Sequence, residues 1–132
     1  MRQGLNSLLA RESDIEVVGE AANGREALDF LKSTIPDVVV MDVAMPELNG
    51  MDTCGLMLKR HPKLRVLALS MHSDARYVRR MVDAGACGYV LKNSAFKELA
   101  GAVRTVSKGR RYFGQGLAYE SPKRTTRGMV TE

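Results

Sequence analysis

Three polar side chains stand at the ends of three successive apolar segments of the chain. "DVVVMD" closes on Asp42, "LRVLALS" closes on Ser70, and "CGYVL" is followed at once by Lys92. A charge at the end of a buried strand is costly unless it has a partner or a task. A carboxylate can attack a phosphoryl group and form an acyl phosphate, while an ammonium offsets the added charge and a hydroxyl donates a hydrogen bond. The three residue types together therefore suit phosphoryl transfer.

Each of these residues also has a plainer interpretation. Asp42 could cap a loop, Ser70 could cap the following helix, and Lys92 could be a solvated surface residue. Their joint occurrence at three successive strand ends favours a shared site. Phosphoryl transfer normally also needs a divalent metal, and Mg²⁺ prefers oxygen ligands. Asp42 can supply one such ligand, and the others should come from a neighbouring strand end.

The elements that would position these side chains alternate along the chain. Short segments rich in Val, Leu and Ile predict strands over residues 14–20, 37–42, 64–70 and 87–91. Helical patterns lie between and after them, over residues 24–34, 50–61, 73–85 and 94–109, with Ser73 as a cap and stops at Gly85 and Gly109. This alternation predicts right-handed crossovers and an open parallel sheet. Ligands gather at the carboxyl ends of such strands, so the polar residues above would meet there.

The patterned helices carry apolar faces that should pack on this sheet. In the last helix, Phe96, Leu99, Val103 and Val106 recur at helical spacing and predict its buried face. The chain also opens on a helical pattern, "MRQGLNSLLARES", whose leucines would face inward, with no strand before it. This start is unusual for a doubly wound sheet, because each helix there usually packs against the strand that precedes it.

The composition is typical of one globular domain. The chain has 132 residues, and 45% of them are hydrophobic, which is enough for a real core. Its 20 basic and 15 acidic residues give a formal charge of +5, with the excess in "GRRYF" and "SPKRTTRG", interpreted as a solvated tail. Cys54 and Cys87 lie in apolar segments without metal-ligand spacing, so we expect packed thiols. There is no membrane-length apolar run and no signal-peptide core, so we expect a cytoplasmic protein without membrane contact.

Several stretches of the sequence resemble those of a known protein family. "PDVVVMDVAMPELNGMD", "VLALSMHSD" and "AGACGYVLKNS" together closely resemble the receiver domain of two-component response regulators. "RQGLNSLLARESDIEVVGEAANGREAL" and "DAGACGYVLK" resemble its NarL/FixJ, or LuxR-type, subfamily. The resemblance covers Arg2 to Phe113. It implies a flavodoxin-like (CheY-like) α/β fold with three α/β/α layers, a receiver domain over residues 1–113, and a linker or tail over residues 114–132.

The resemblance also assigns roles to single positions. It implies that Asp42 is the phosphoacceptor and that Lys92 binds the phosphoryl group. Ser70 matches the switch hydroxyl that turns toward this group, and Tyr89 matches the switch aromatic. A packed core tyrosine is the plainer interpretation of Tyr89, and it is compatible with the switch because such a ring is proposed to move between packed and exposed positions.

The loop that follows Asp42 matches the family as well. Ala44 stands where the family offers a backbone carbonyl to Mg²⁺, and Pro46 and Gly50 stand where the loop turns into the next helix. The resemblance therefore implies Mg²⁺ as the cofactor, with Asp42 and the Ala44 carbonyl as ligands.

The major departure from the family lies at the start of the chain. The family begins with an apolar strand ending in two adjacent carboxylates, which at the family's spacing would fall before Met1. We therefore expect residues 14–20 to lose a pairing partner and the strand ending at Asp42 to have an open edge. Either these strands close the gap, or another segment or a second chain fills it, or the region is disordered. Without the acidic pair, Mg²⁺ affinity should fall, and phosphorylation of Asp42 should be weak or absent.

Three functions are compatible with these residues. The favoured one is the receiver domain of a transcriptional response regulator, which accepts a phosphoryl group from a sensor histidine kinase. It would control homodimerisation, often through the first and last helices, and DNA binding through a helix-turn-helix domain expected to lie outside this chain. The alternative is a pseudo-receiver that works as a dimerisation or partner-binding module without phosphorylation. An enzyme such as a small phosphatase is disfavoured, because no second acid/base group or phosphate-cradling glycine loop is found, which leaves only self-dephosphorylation.

Overall fold

The computed structural model describes residues 7–42, 50–71 and 75–114. Within these ranges one parallel sheet has the strand order β1-β2-β3-β4. Its strands are β1 (Val38–Asp42), β2 (Arg65–Ser70), β3 (Gly88–Leu91) and β4 (Tyr112–Phe113). The helices are α1 (Gly24–Phe30), α2 (Gly50–Arg60), α3 (Ala75–Asp83) and α4 (Ala95–Ser107), and residues 7–10 form a helical turn ahead of them.

The parallel sheet follows from the composition of its strands. β2 lies between β1 and β3 and is buried at every residue after Arg65. Its register places Asp42 beside Leu69 on one side and Leu91 beside Ser70 on the other. Continuous apolar runs are typical of parallel strands that have helices on both faces. The predicted parallel α/β sheet is therefore confirmed.

Helices cover both faces of the sheet and form the predicted three layers. α1, α2 and α3 pack on one face around a core that includes Met57, Met81 and Tyr89. On the other face α4 packs through Leu99 and Val106, and Leu9 of the helical turn joins them. None of the helices in the described ranges is long and apolar enough to cross a membrane.

The helix ends agree with their sequence signals. The side chain of Asn23 caps α1 by accepting a 2.9 Å hydrogen bond from the amide of Glu26. Beyond α3 and α4 stand Gly85 and Gly109, with φ angles of +110° and +86°. This left-handed conformation ends a helix at little cost when the residue is glycine. The stops predicted at these glycines are confirmed, whereas the Ser73 cap lies outside the described residues.

The strand predicted over residues 14–20 is wrong. Residues 15–20 adopt no regular secondary structure. They border a cavity of about 910 Å³ whose opposite wall is β1, with Leu99 and Val103 of α4 among the lining residues. A strand is stable only when its backbone groups find a ladder partner. Within the described ranges β1 is the edge of the sheet on this side, so residues 14–20 and β1 do not close the gap between them.

Two further predictions need correction near the end of the described chain. The sequence predicts Phe96 on the buried face of α4, but 59% of it is exposed, because the buried face is formed by Ala95, Leu99, Ala102 and Val106 and Phe96 is one position away from it. Strand β4 was not predicted, since two residues are too few to show a period. The linker predicted beyond Gly114 lies outside the described residues.

The two cysteines are free thiols, as predicted. The Cys54 thiol is fully buried and donates to the carbonyl of Ala84 at 3.6 Å. Burial raises the pKa of Cys54 to about 12, so this thiol stays protonated near neutral pH. Cys54 is therefore a packing residue of the core.

Candidate functional site

The carboxyl ends of β1, β2 and β3 lie side by side at one end of the sheet. Asp42 is the last residue of β1, Ser70 is the last residue of β2, and Lys92 follows the last residue of β3. Because the three strands are parallel neighbours, the fold brings these side chains to the same end. This grouping is the one expected from the strand pattern.

Asp42 and Lys92 are in direct contact. The Lys92 Nζ lies 2.6 Å from Asp42 Oδ2, and the Lys92 side chain is only 15% exposed. Their strands are separated by β2, so the two backbones lie roughly 9.5 Å apart at the usual strand spacing. The Lys92 stem must therefore cross the end of β2, where Ser70 stands. A charge-assisted contact of this length holds the carboxylate in place.

The local fold positions Lys92 for this contact. β3 ends at Leu91, and a 3₁₀ turn over Lys92–Ser94 leads directly into α4. The amide of Ala95 donates to the Lys92 carbonyl, and Ala95 itself is fully buried. The lysine thus stands at a strand-to-helix junction whose two sides are packed into the core.

Ser70 and Tyr89 are both buried. Ser70 is 1% exposed, and Tyr89 is fully enclosed on the face covered by α2 and α3. Tyr89 lies beside Ala68 of β2 and beside Phe113 of β4. Tyr89 is therefore a packed core tyrosine in this state, which was its plainer interpretation. Its role as a switch, like that of Ser70, stays a prediction.

The described residues do not fit a magnesium cage. Across the described ranges, no group of three His, Cys, Asp or Glu side chains stands together where it could hold a metal ion. Asp42 supplies one carboxylate, and that carboxylate contacts a lysine. Gly50 begins α2, as expected for the turn into this helix, whereas Ala44 and Pro46 lie outside the described residues. One carboxylate is a poor site for Mg²⁺, which usually binds several oxygen ligands.

The acidic residues near the start of the chain are engaged elsewhere. Glu12 and Asp14 both accept hydrogen bonds from the guanidinium of Arg104 on α4, and the Arg104 Nε to Asp14 Oδ2 distance is 2.8 Å. This guanidinium lowers the pKa of Asp14. Arg104 and Asp14 are 90 positions apart in the sequence, and the sequence carries no local signal for their contact. The contact attaches residues 12–14 to α4, and it keeps the Glu12 and Asp14 carboxylates on Arg104 and not beside Asp42.

A second contact that was not predicted links α4 to β4. The Tyr112 hydroxyl donates to Glu98 Oε1 at 2.9 Å. Burial, followed by this hydrogen bond, raises the pKa of Tyr112 to about 12. The two aromatic residues of "RRYFG" are the signal that could have indicated an ordered contact after α4.

A parallel sheet between helix layers, with an acid-lysine pair at its carboxyl end, is compatible with a phosphoacceptor domain, and comparison with known proteins names the family. The model of the response regulator receiver domain matches residues 1–104. The chain is 37% identical over 131 residues to the transcriptional regulatory protein DegU of Brevibacillus brevis, covering 99% of this chain and 52% of that protein. It is 38% identical over 113 residues to the response regulator protein VraR of Staphylococcus aureus, covering 86% of this chain and 54% of that protein.

Solved structures agree with this family in fold. A two-component response regulator of the LuxR family from an Aurantimonas species superposes with a TM-score of 0.85 at 33% identity, covering 89% of this chain and 84% of that one. The signal receiver domain of NarL from Mycobacterium tuberculosis superposes with a TM-score of 0.78 at 34% identity, covering 83% and 88%. The chain belongs to the response regulator receiver domain family and is similar to its LuxR/NarL-type members. It spans about half the length of the curated relatives it matches.

Proposed function

We propose that Asp42 accepts a phosphoryl group from a sensor histidine kinase. An Asp42 carboxylate oxygen would attack phosphorus, the bond from phosphorus to the donor nitrogen would break, and an acyl phosphate would result. The observation that carries this proposal is the 2.6 Å contact of Lys92 with Asp42 at the carboxyl end of the sheet. The ammonium would offset the negative charge that the phosphoryl group adds.

Ser70 is the second group that this proposal uses. It ends the strand between those of Asp42 and Lys92, so its hydroxyl lies where it could donate a hydrogen bond to a phosphoryl oxygen. Receiver domains are generally not enzymes apart from hydrolysing their own acyl phosphate. We propose no further catalysis here.

Mg²⁺ should contribute little to this chain's reaction. Receiver domains typically bind this ion beside the phosphoacceptor, but the described residues place only one carboxylate there. We therefore expect phosphorylation of Asp42 to be slow and incomplete.

The output of the parent protein is part of the same proposal. The relatives include a transcriptional regulatory protein and response regulators about twice as long as the stretch they share with this chain. We propose that phosphorylation controls homodimerisation, and that dimerisation positions DNA-binding domains on paired half-sites. The outer surface of α4 and the helical turn at residues 7–10 would contribute to the dimer face, because Arg104 of α4 contacts Glu12 and Asp14, which follow this turn in the chain.

The test is phosphoryl incorporation from acetyl phosphate into the full 132-residue chain, measured by intact-protein mass with Mg²⁺ or with EDTA. Asp42→Asn removes the acceptor, and Asp37→Asn makes the same change just before the other end of β1. We expect slow labelling in the wild type and in Asp37→Asn, none in Asp42→Asn, and little effect of EDTA. Labelling of Asp42→Asn equal to the wild type would refute the proposal, and rapid complete labelling that requires Mg²⁺ would refute the weak metal site.

A further inference from the structure

The amino ends of the strands carry an excess of positive charge. Residues 59–65, "KRHPKLR", run from the end of α2 to the start of β2 and contain four Lys or Arg residues and no acidic residue. Residues 108–111, "KGRR", lie between α4 and β4 and contain three more. Because the sheet is parallel, both segments lead into strands at the same end, which is opposite to Asp42 and Lys92. The candidate site therefore does not account for this charge.

The first of these segments lines an open cleft. Arg60, His61, Lys63 and Arg65 all border this cleft, whose volume is about 580 Å³. Asp37 borders it too, and its carbonyl accepts a 3.2 Å hydrogen bond from the Arg65 amide. Arg60 and Lys63 are exposed, and Arg65 is half-buried. One carboxylate thus shares the cleft with three permanent cations.

Arg65 connects the cleft to the second segment. A Cβ at Gly109 would stand 3.3 Å from Arg65 Nη2, so the guanidinium lies close to the backbone of this glycine. Arg110 and Arg111 follow Gly109 directly, and both are exposed. Since β4 pairs with β3, Arg111 lies beside the start of β3. The two segments together place cations across the amino ends of β2, β3 and β4. We call these residues the basic strip: Arg60, Lys63, Arg65, Arg110 and Arg111.

The cations of the basic strip are not neutralised by neighbouring carboxylates. Among the residues that the structure describes, no carboxylate lies within ion-pair distance of a side chain of the strip, whereas Lys92 contacts Asp42 directly. The carbonyl end of α2 offsets part of the charge of Arg60, the last residue of that helix. Lys63 and Arg111 lie outside the helices. Their charge therefore remains available to an anion from outside the domain.

We propose that the basic strip binds the phosphate backbone of duplex DNA. Duplex DNA carries one negative charge per about 1.7 Å of its axis, so it can contact several spaced cations at once. β3 separates β2 from β4, which sets the first residues of these two strands roughly 9.5 Å apart at the usual strand spacing. This spread is too wide for one small anion, and it is comparable with the ~12 Å major groove that lies between two phosphate backbones.

This inference goes beyond the proposed function, which assigns DNA binding to domains outside this chain, although the choice of DNA as the partner rests on that function. A weak contact is sufficient, because the DNA-binding domains of the parent protein would hold the strip near DNA at a high effective concentration. Phosphate contacts position a protein on the duplex without reading its sequence. The strip therefore adds affinity and no sequence preference, and it acts at the end of the sheet away from Asp42.

The experiment measures binding of the full 132-residue chain to a short fluorescent duplex of arbitrary sequence, by anisotropy between about 50 and 200 mM salt. The strip variant, Lys63→Gln with Arg111→Gln, removes two exposed charges from the strip. We expect it to weaken binding about tenfold or more at the lowest salt concentration. It should also reduce the slope of log affinity against log salt concentration by about 1.8, since each phosphate contact contributes about 0.9.

The control variant removes the same charge elsewhere. Arg79→Gln with Lys97→Gln replaces one arginine and one lysine that are exposed on α3 and α4, and it should leave the salt slope unchanged. Circular dichroism verifies that both variants are folded. Equal losses of affinity in the strip and control variants would show an effect of net charge alone and would overturn the proposal.

The basic residues beyond Gly114 are a second place where the duplex could bind. The tail variant, Lys123→Gln with Arg124→Gln, removes two charges from "SPKRTTRG" and should keep the salt slope of the wild type. Loss of binding in the tail variant with none in the strip variant would place the contact in the tail and overturn the proposal.

An anionic membrane is the other partner that the test separates. Vesicles that contain phosphatidylserine are sedimented with the chain under the same salt conditions. Binding to vesicles without binding to the duplex overturns the proposal, as does the absence of binding to both. Binding to the duplex that the strip variant alone loses supports it.

Phosphoryl incorporation into Asp42 is measured on separate samples, so the two proposals fail independently. Labelled Asp42 in a chain that does not bind the duplex overturns the role of the strip and leaves the proposed function of Asp42 standing. Duplex binding that depends on the strip, in a chain whose Asp42 is not labelled, supports the strip and overturns the proposed function.

Discussion

Lys92 reaches Asp42 across the end of the strand that separates them. The two side chains meet at 2.6 Å, although β2 lies between β1 and β3. The contact therefore depends on the alignment of three strand ends. The buried Ser70 ends the strand that lies between them.

Replacement of Lys92 tests whether this contact supports phosphorylation. Lys92→Met keeps the length of the stem and removes the charge, so the phosphoryl group on Asp42 would lack its cation. We expect labelling by acetyl phosphate to fall about tenfold or more, because a hydrogen bond to a charged group contributes ~1.5–3 kcal/mol. The control is Lys97→Met, on the exposed surface of α4. Equal labelling of the two variants would contradict a role for Lys92.

Two glycines test the close packing of β4 on β3. A Cβ at Gly88 would stand 2.5 Å from Leu67 Cδ1 and 3.0 Å from the Tyr112 carbonyl oxygen. Gly88→Ala should therefore lower the free energy of unfolding by ~1–3 kcal/mol, the usual cost of overpacking. A Cβ at Gly101, inside α4, meets nothing within 4 Å. Gly101→Ala should raise the free energy of unfolding by roughly 0.5–1 kcal/mol.

Urea unfolding of both glycine variants supplies the measurement. Both substitutions add one methyl group, but their expected changes in the free energy of unfolding have opposite signs. The comparison therefore separates the effect of local packing from the effect of the added methyl group. A Gly88→Ala protein as stable as the wild type would show that Leu67 and Tyr112 do not pack this closely against Gly88.

The corrected face of α4 leads to a third prediction. Leu99 is fully buried, whereas Phe96 in the first turn is 59% exposed. Leu99→Ala should lower the free energy of unfolding by ~2–5 kcal/mol, because it leaves a cavity in the core. Phe96→Ala should change it by less than about 0.5 kcal/mol, as expected for a surface substitution. Guanidinium unfolding monitored by circular dichroism measures both, and a larger loss in Phe96→Ala would mean that this ring is buried.

The contact of Arg104 with Asp14 predicts a pH dependence of stability. The guanidinium lowers the pKa of Asp14 in the folded chain below its ordinary value of 3.8. The ion pair therefore adds stability above pH 3.8, and this contribution is lost as the pH falls through the lowered pKa. At neutral pH the wild type should be more stable than Asp14→Asn, and the difference should shrink below pH 3.8.

The pH series needs a variant with the same change in charge. Asp83→Asn serves this purpose, because Asp83 is exposed at the end of α3. Denaturation midpoints of the wild type and both variants, measured from pH 7 down to acid, make the comparison. A gap between the wild type and Asp14→Asn that widens as the pH falls would contradict the ion pair.

Much of the fold was determined by the sequence itself. The apolar runs that end at Asp42 and Ser70 predicted central parallel strands, and the structure confirms them. The helix ends predicted at Gly85 and Gly109 are also confirmed. These features depend on hydrophobic period, on length and on the conformational freedom of glycine, all of which are local properties of a chain. The meeting of Asp42 with Lys92 then follows from one general rule, that parallel strands present their carboxyl ends together.

Other features were decided only by the tertiary structure. Residues 14–20 have the composition of a strand, but strand formation needs a partner backbone, and β1 stands across a cavity of about 910 Å³. Strand β4 pairs with β3 where Gly88 leaves room for the Tyr112 carbonyl, and Arg104 reaches Asp14 because folding brings distant segments together. Such contacts join residues that are far apart in the chain, so no local pattern predicts them. The sequence determined which residues could form the site, and the tertiary structure decided which neighbours hold them in place.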